Sequence, residues 1–111
     1  MKQDRKALVR AYRERRKPAG VFALRCTTTG QAWVGSTPDL STRQNGLWAG
    51  LRLGGYPLPA LVAAWKQEGE GAFAFDVLET LPDEDREPYV EASQLTDLAA
   101  VWRERLGAEK L

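Results

Sequence analysis

The run Gly20-Val21-Phe22-Ala23-Leu24-Arg25-Cys26, a turn at Thr27 to Gly30, and a second run Gln31-Ala32-Trp33-Val34-Gly35-Ser36 decide the fold. Val, Phe, Leu and Trp recur at two-residue alternation, and glycine and a threonine-rich turn bound the runs, which is the pattern of a β-hairpin. A third run, Phe73-Ala74-Phe75-Asp76-Val77-Leu78-Glu79, comes much later in the chain. Strict alternation puts Phe73, Phe75, Val77 and Glu79 on one face, so a carboxylate ends an otherwise apolar stripe.

The segments around these strands read as helices. Thr37-Pro38-Asp39 opens one of them, with Thr37 as N-cap, Pro38 at the first helical position and Asp39 favourable to the helix dipole. Leu40, Leu47, Trp48 and Leu51 repeat at helical spacing, and Arg43 falls on or beside that inward face. A buried guanidinium there needs a partner or a ligand; the alternative is a side chain that snorkels along the helix edge. Gly54, Gly55, Pro57 and Pro59 mark a turn, after which Leu58, Leu61, Val62 and Trp65 face inward on a second helix ending at Gly69. An acidic region beyond Pro82 leads into a C-terminal helix over residues 83–106, with Pro88 as either a break or the first turn of the last helix and Leu95, Leu98, Ala99, Trp102 and Leu106 as its apolar stripe. The order helix, hairpin, helix, helix, strand, helix specifies an α+β fold, a small three-stranded antiparallel sheet flanked by helices within one domain.

At 111 residues, 43% hydrophobic and 28% charged, the chain has material for one core and no sign of wholesale disorder. The longest apolar stretch, Leu58 to Trp65, is too short to span a membrane, and no apolar signal region comes after the basic N-terminus; a soluble cytoplasmic protein is expected. Cys26 is the one cysteine, which excludes an internal disulfide and reads as a small core residue. The absence of histidine removes Cys-His and Ser-His-Asp catalysis and histidine-ligated zinc.

The net charge of +1 conceals an asymmetry. Residues 1–17 hold eight bases and two acids, a net +6, whereas residues 76–111 hold ten acids and four bases, a net −6. The basic segment has a helical pattern, with Asp4 as N-cap, Leu8 and Tyr12 one turn apart and Pro18 as the stop. Two uses are open to it: docking Leu8 and Tyr12 on the core beside the acidic C-terminal segment, or contacting phosphates through Arg10, Arg13 and Lys17.

Gly20-Val21-Phe22, then Trp33-Val34-Gly35 with Ser36, Leu40 and Arg43, then Leu61 to Trp65, Gly69 and the run from Phe73 to Glu79, resemble the GIY-YIG nuclease domain in motif order and spacing. The resemblance implies a core over residues 20–79 and cleavage of DNA phosphodiester bonds with one divalent ion, Mg²⁺ or Mn²⁺. It implies a monomer that clamps the scissile phosphate with Arg43, binds the metal through Glu79, and lets the phosphate approach past Gly35 and Ser36. The chemistry suits those side chains. A fixed guanidinium neutralises non-bridging oxygens, and Mg²⁺ needs only one or two carboxylates besides water and substrate.

Two departures bear on activity. Phe22 and Trp33 stand at the catalytic positions where the family's motifs carry tyrosine, and neither supplies a phenolic hydroxyl; Tyr56 and Tyr12 are candidates to supply one from elsewhere in the chain. The family's histidine after the arginine is also missing. The expected function is a divalent-metal-dependent endonuclease. The alternatives are a degenerate domain that binds nucleic acid without cleaving it, and a protein-interaction module anchored by Trp48 or Trp65.

Overall fold

The computed structural model describes residues 17–82 and 84–111. The expected N-terminal helix, with Arg10 and Arg13, lies outside the described residues. Along the rest, the order is β1 (Gly20–Cys26), β2 (Ala32–Thr37), α1 (Leu40–Leu53), α2 (Pro59–Glu68), a 3₁₀ turn at Glu70–Ala72, β3 (Phe73–Thr80), α3 (Pro88–Leu106) and β4 (Glu109–Lys110). No helix among the described residues is long and apolar enough to cross a membrane.

The hairpin forms as its alternation demands. Cys26 N–H donates to Gln31 O and Gly30 N–H to Cys26 O, closing the turn, and β1 pairs with β2 from Gly20 opposite Thr37 to Arg25 opposite Ala32. β1 is also antiparallel to β3, and the sheet order is β3-β1-β2-β4. The sheet is therefore mixed and four-stranded rather than the expected three antiparallel strands, because β4 lies parallel to β2, with Trp33 opposite Glu109. Glu109 and Lys110 carry no strand pattern. The C-terminal residue sets their place: Leu111 N–H donates to Val34 O at 3.1 Å, and the Leu111 side chain packs against the core.

Two cores lie on the two faces of the sheet. Leu24, Cys26, Trp33 and Phe73 face α1 and α2, where they meet Leu51, Leu61 and Trp65. Val21, Ala23 and Val34 face α3, where they meet Ala99 with Leu98 and Trp102 beside it. Burying each large aliphatic or aromatic side chain contributes roughly 1.5–3 kcal/mol, so the central strand, whose Val21, Phe22 and Leu24 are fully buried, anchors both layers. Cys26 is buried and free, as its strand position requires.

Three local readings are corrected. α1 is capped by Asp39 rather than Thr37: Asp39 Oδ1 accepts from Ser41 N–H at 3.0 Å, while Thr37 Oγ1 accepts from Asp39 N–H one residue pair earlier. α3 begins at Pro88 instead of residue 83, proline being favoured in a first helical turn. Leu106 leaves the apolar stripe at 47% exposure, just before the left-handed C-cap Gly107.

Candidate functional site

Arg43 sits one turn into α1, on the face toward the sheet. Its Cζ lies 5.7 Å from the centroid of the Phe22 ring, and Phe22 in turn stacks on Phe75 with centroids 4.9 Å apart. Nη2 of Arg43 donates a long hydrogen bond, 3.4 Å, to the hydroxyl of Tyr56, which comes from the turn between α1 and α2. Arg43 Nε is buried and has no partner. The guanidinium is thus held from below by an aromatic face and from one side by a phenol, with donor capacity left over. A cation over a ring gains about 0.5–1 kcal/mol, too little to replace the hydration that a half-buried charge gives up. An anion supplied from outside would complete the arrangement.

Glu79 is not part of it. The β1–β3 ladder pairs Phe22 with Val77 but Val21 with Glu79, so one extra residue of β3 is accommodated between them. That bulge turns Glu79 away from the Phe73, Phe75, Val77 face and onto the α3 face, where its Oε1 accepts from Trp102 Nε1 at 2.9 Å. Strict alternation from Phe73 to Glu79 therefore fails at Leu78, and the expected single depression holding both Arg43 and Glu79 does not form. Gly20 makes the bulge possible: a Cβ built there would lie 2.2 Å from the Glu79 carbonyl oxygen.

Of the remaining sequence candidates, Phe22, Trp33 and Gly35 are buried, Ser36 is half-buried and Lys17 is exposed. Phe22 is fully buried and Trp33 is 3% exposed, packed with Phe73 at 6.4 Å between centroids; both are core residues with no surface for substrate. Gly35 is buried as well, and a Cβ on it would meet Phe22 Cζ at 3.1 Å and Leu111 side-chain atoms at 3.1 and 3.2 Å. Its smallness serves the packing of Leu111, not the approach of a phosphate. Ser36 pairs with Val21 and so belongs to the α3 face. Lys17, by contrast, is exposed, and it is close enough to Asp39 to act on it electrostatically. Trp65 is 7% exposed and stands edge-on to Trp48 at 5.4 Å, inside an aromatic cluster with Phe73 and Phe75, so neither tryptophan is the exposed anchor that an interaction module needs.

Sequence periodicity could not reveal Arg86, which lies in the irregular segment before α3. Its side chain is only 6% exposed; its guanidinium donates to the carbonyls of Pro82 and Glu84 and faces Glu91 Oε2 at 3.7 Å. Its Nε, like that of Arg43, is buried without a partner. Arg86 lines a cavity of about 200 Å³ together with Lys17, Pro18, Ala19, Thr80, Leu81 and Pro82. Pro18 O accepts from Leu40 N–H, which puts this cavity at the end of the sheet where α1 begins. Among the described residues no three acidic or thiol groups cluster as a ready metal cage.

No family model and no curated protein matches the chain. Solved structures do. The catalytic domain of the intron endonuclease I-TevI, in an alanine mutant, superposes with a TM-score of 0.68 at 21% identity, covering 81% of this chain and 84% of that one. A second structure of the catalytic domain of the homing endonuclease I-TevI gives 0.67 at 19% identity, covering 80% and 88%. At such identities the likeness is one of fold, and it agrees with the motif order read from the sequence.

Proposed function

We propose, from the premise that this chain has a GIY-YIG-like fold, that it is an endonuclease acting on DNA phosphodiester bonds, with Arg43 holding the scissile phosphate. The observation that carries this reading is the half-buried guanidinium of Arg43, oriented by Phe22 and Tyr56 and left with an unpartnered Nε. Phosphoryl transfer depends mainly on positioning and on neutralising charge at the non-bridging oxygens, and a pre-oriented planar fork does both. The Phe22–Phe75 stack keeps water from the underside of that fork, so the charge is presented in one direction.

A divalent ion at Glu79 does not fit, because that carboxylate lies on the opposite face from Arg43 and is held by Trp102. Glu91 fits better. It is part-buried in the first turn of α3, where the buried Arg86 faces it at 3.7 Å and holds it in place. One carboxylate is enough for Mg²⁺, which takes its other ligands from water and substrate oxygens, and a bound ion would supply positive charge to the phosphate.

A second reading has its own observation. Phe22 and Trp33 bring no hydroxyl and no exposed surface to the site, which suits a domain that binds nucleic acid without cutting it. Supercoiled, branched and single-stranded DNA incubated with and without Mg²⁺ or Mn²⁺ separates the two. Metal-dependent nicking supports the endonuclease; salt-sensitive binding with intact substrate supports the binder; the absence of both nicking and binding overturns the phosphate reading of Arg43.

A further inference from the structure

We infer that Tyr56 donates its hydroxyl proton to the phosphate held by Arg43, and so takes part in substrate binding and transition-state stabilisation. The inference rests on the phosphate reading of Arg43 and deepens it. A phenol has one proton to give and lone pairs to accept with. Tyr56 spends a lone pair on Arg43 Nη2, at 3.4 Å, so its own proton remains available. An oxygen lying against the guanidinium on that side is within reach of both donors, and a phosphate has several such oxygens. Two neighbouring donors, one charged and one neutral, are the arrangement that anion recognition uses.

Among the described residues, Tyr56 is the phenol whose hydroxyl reaches Arg43. Phe22 has no hydroxyl, and the Trp33 ring is buried against Phe73. Thr37 Oγ1 is engaged with the backbone of Asp39, and the hydroxyls of Ser41 and Thr42 both donate to the Asp39 carboxylate. The position of Tyr56 is fixed by its surroundings. Its ring packs partly buried against the α1–α2 core and lies 3.4 Å from the point where a Cβ on Gly50 would be, while its hydroxyl reaches the guanidinium. The ring packs in the core while the oxygen meets Arg43, which makes the two separable.

Tyr56→Phe keeps the ring and deletes the oxygen. The test compares wild type, Tyr56→Phe, Arg43→Ala and the double variant on supercoiled plasmid with Mg²⁺ or Mn²⁺, with melting temperature and plasmid binding measured alongside. The expected result is a fall in kcat of about tenfold or more for Tyr56→Phe, an unchanged melting temperature, and little further loss when it is added to Arg43→Ala, since both donors serve one phosphate. If the wild-type chain binds without cutting, affinity is read instead, and a several-fold weakening with the same non-additivity is expected. Wild-type kcat or affinity in Tyr56→Phe overturns the inference while leaving Arg43 standing. Losses that add fully with those of Arg43→Ala also overturn it. A wild-type chain that neither cuts nor binds removes the phosphate reading itself.

Discussion

At the scale of the residue, the structure changes which substitutions matter. Arg43→Ala is expected to lower turnover by about 10²–10³, the scale for losing one stabiliser of developing charge, and Arg43→Lys to recover little of it because a point charge cannot replace the planar fork. Steady-state rates on one DNA substrate check both. Glu79→Gln is expected to leave cleavage intact, since its amide oxygen can still accept from Trp102 and the side chain faces away from Arg43; Glu91→Gln is expected to reduce metal-dependent cleavage. Loss of cleavage in Glu79→Gln with retention in Glu91→Gln would reverse that assignment. The structure also gives a reason for phenylalanine at position 22. Phe22 Cζ points at Gly35 and Leu111, so Phe22→Tyr would force a hydroxyl into a closed apolar space, costing about 1–3 kcal/mol instead of restoring a catalytic group. Denaturant titration reads that cost directly.

At the scale of the element, the bulge in β3 and the cap of α1 carry the arrangement. Gly20→Ala would drive a methyl group into the Glu79 carbonyl, and since the contact is with backbone it cannot be relieved by a rotamer change; a loss of about 2–3 kcal/mol is expected. The Asp39 carboxyl is held below the usual carboxylate range by the Ser41 hydroxyl first, with further help from Thr42, the Ser41 N–H and the charge of Lys17 against a smaller opposing effect of burial. A depressed folded-state value means that the ionised cap stabilises the fold above the ordinary carboxylate range and that this contribution disappears as pH falls through the lowered value. Melting temperatures of wild type and Asp39→Asn should therefore differ at neutral pH and converge in strong acid. The hairpin, both central helices and the Arg43 position were legible in the sequence because each repeats with a regular period or obeys a known capping pattern. Glu79 was not, because a bulge inserts a residue that alternation has no means of registering, and its only trace is the glycine at position 20 on the neighbouring strand. Arg86 and β4 were illegible for a different reason: Arg86 is fixed by backbone carbonyls and β4 by the anchoring of Leu111, neither of which leaves a pattern in side-chain hydrophobicity.

At the scale of the whole molecule, charge is unevenly spread along the sequence, with +6 over residues 1–17 and −6 over residues 76–111. If Arg10, Arg13 and Lys17 contact phosphates, reversing all three to glutamate should weaken binding to every DNA sequence alike and flatten the dependence of affinity on salt, because fewer counterions are released. An unchanged salt slope would restrict DNA contact to Arg43 and its neighbours. The sheet's outer strand carries a last consequence of the bulge. β3 is an edge strand, its far side unpaired by any other strand of the sheet among the described residues, and Val77 on it is 54% exposed. Such a strand invites a second molecule to add on in register and begin a fibre. The kink at Leu78 interrupts its row of N–H and C=O groups, and Asp76 and Glu79 place a carboxylate on either side of the exposed valine. The irregularity that takes Glu79 away from Arg43 thus also spoils β3 as a template, so that the resistance of this edge to strand addition and the geometry of the sheet depend on the same extra residue.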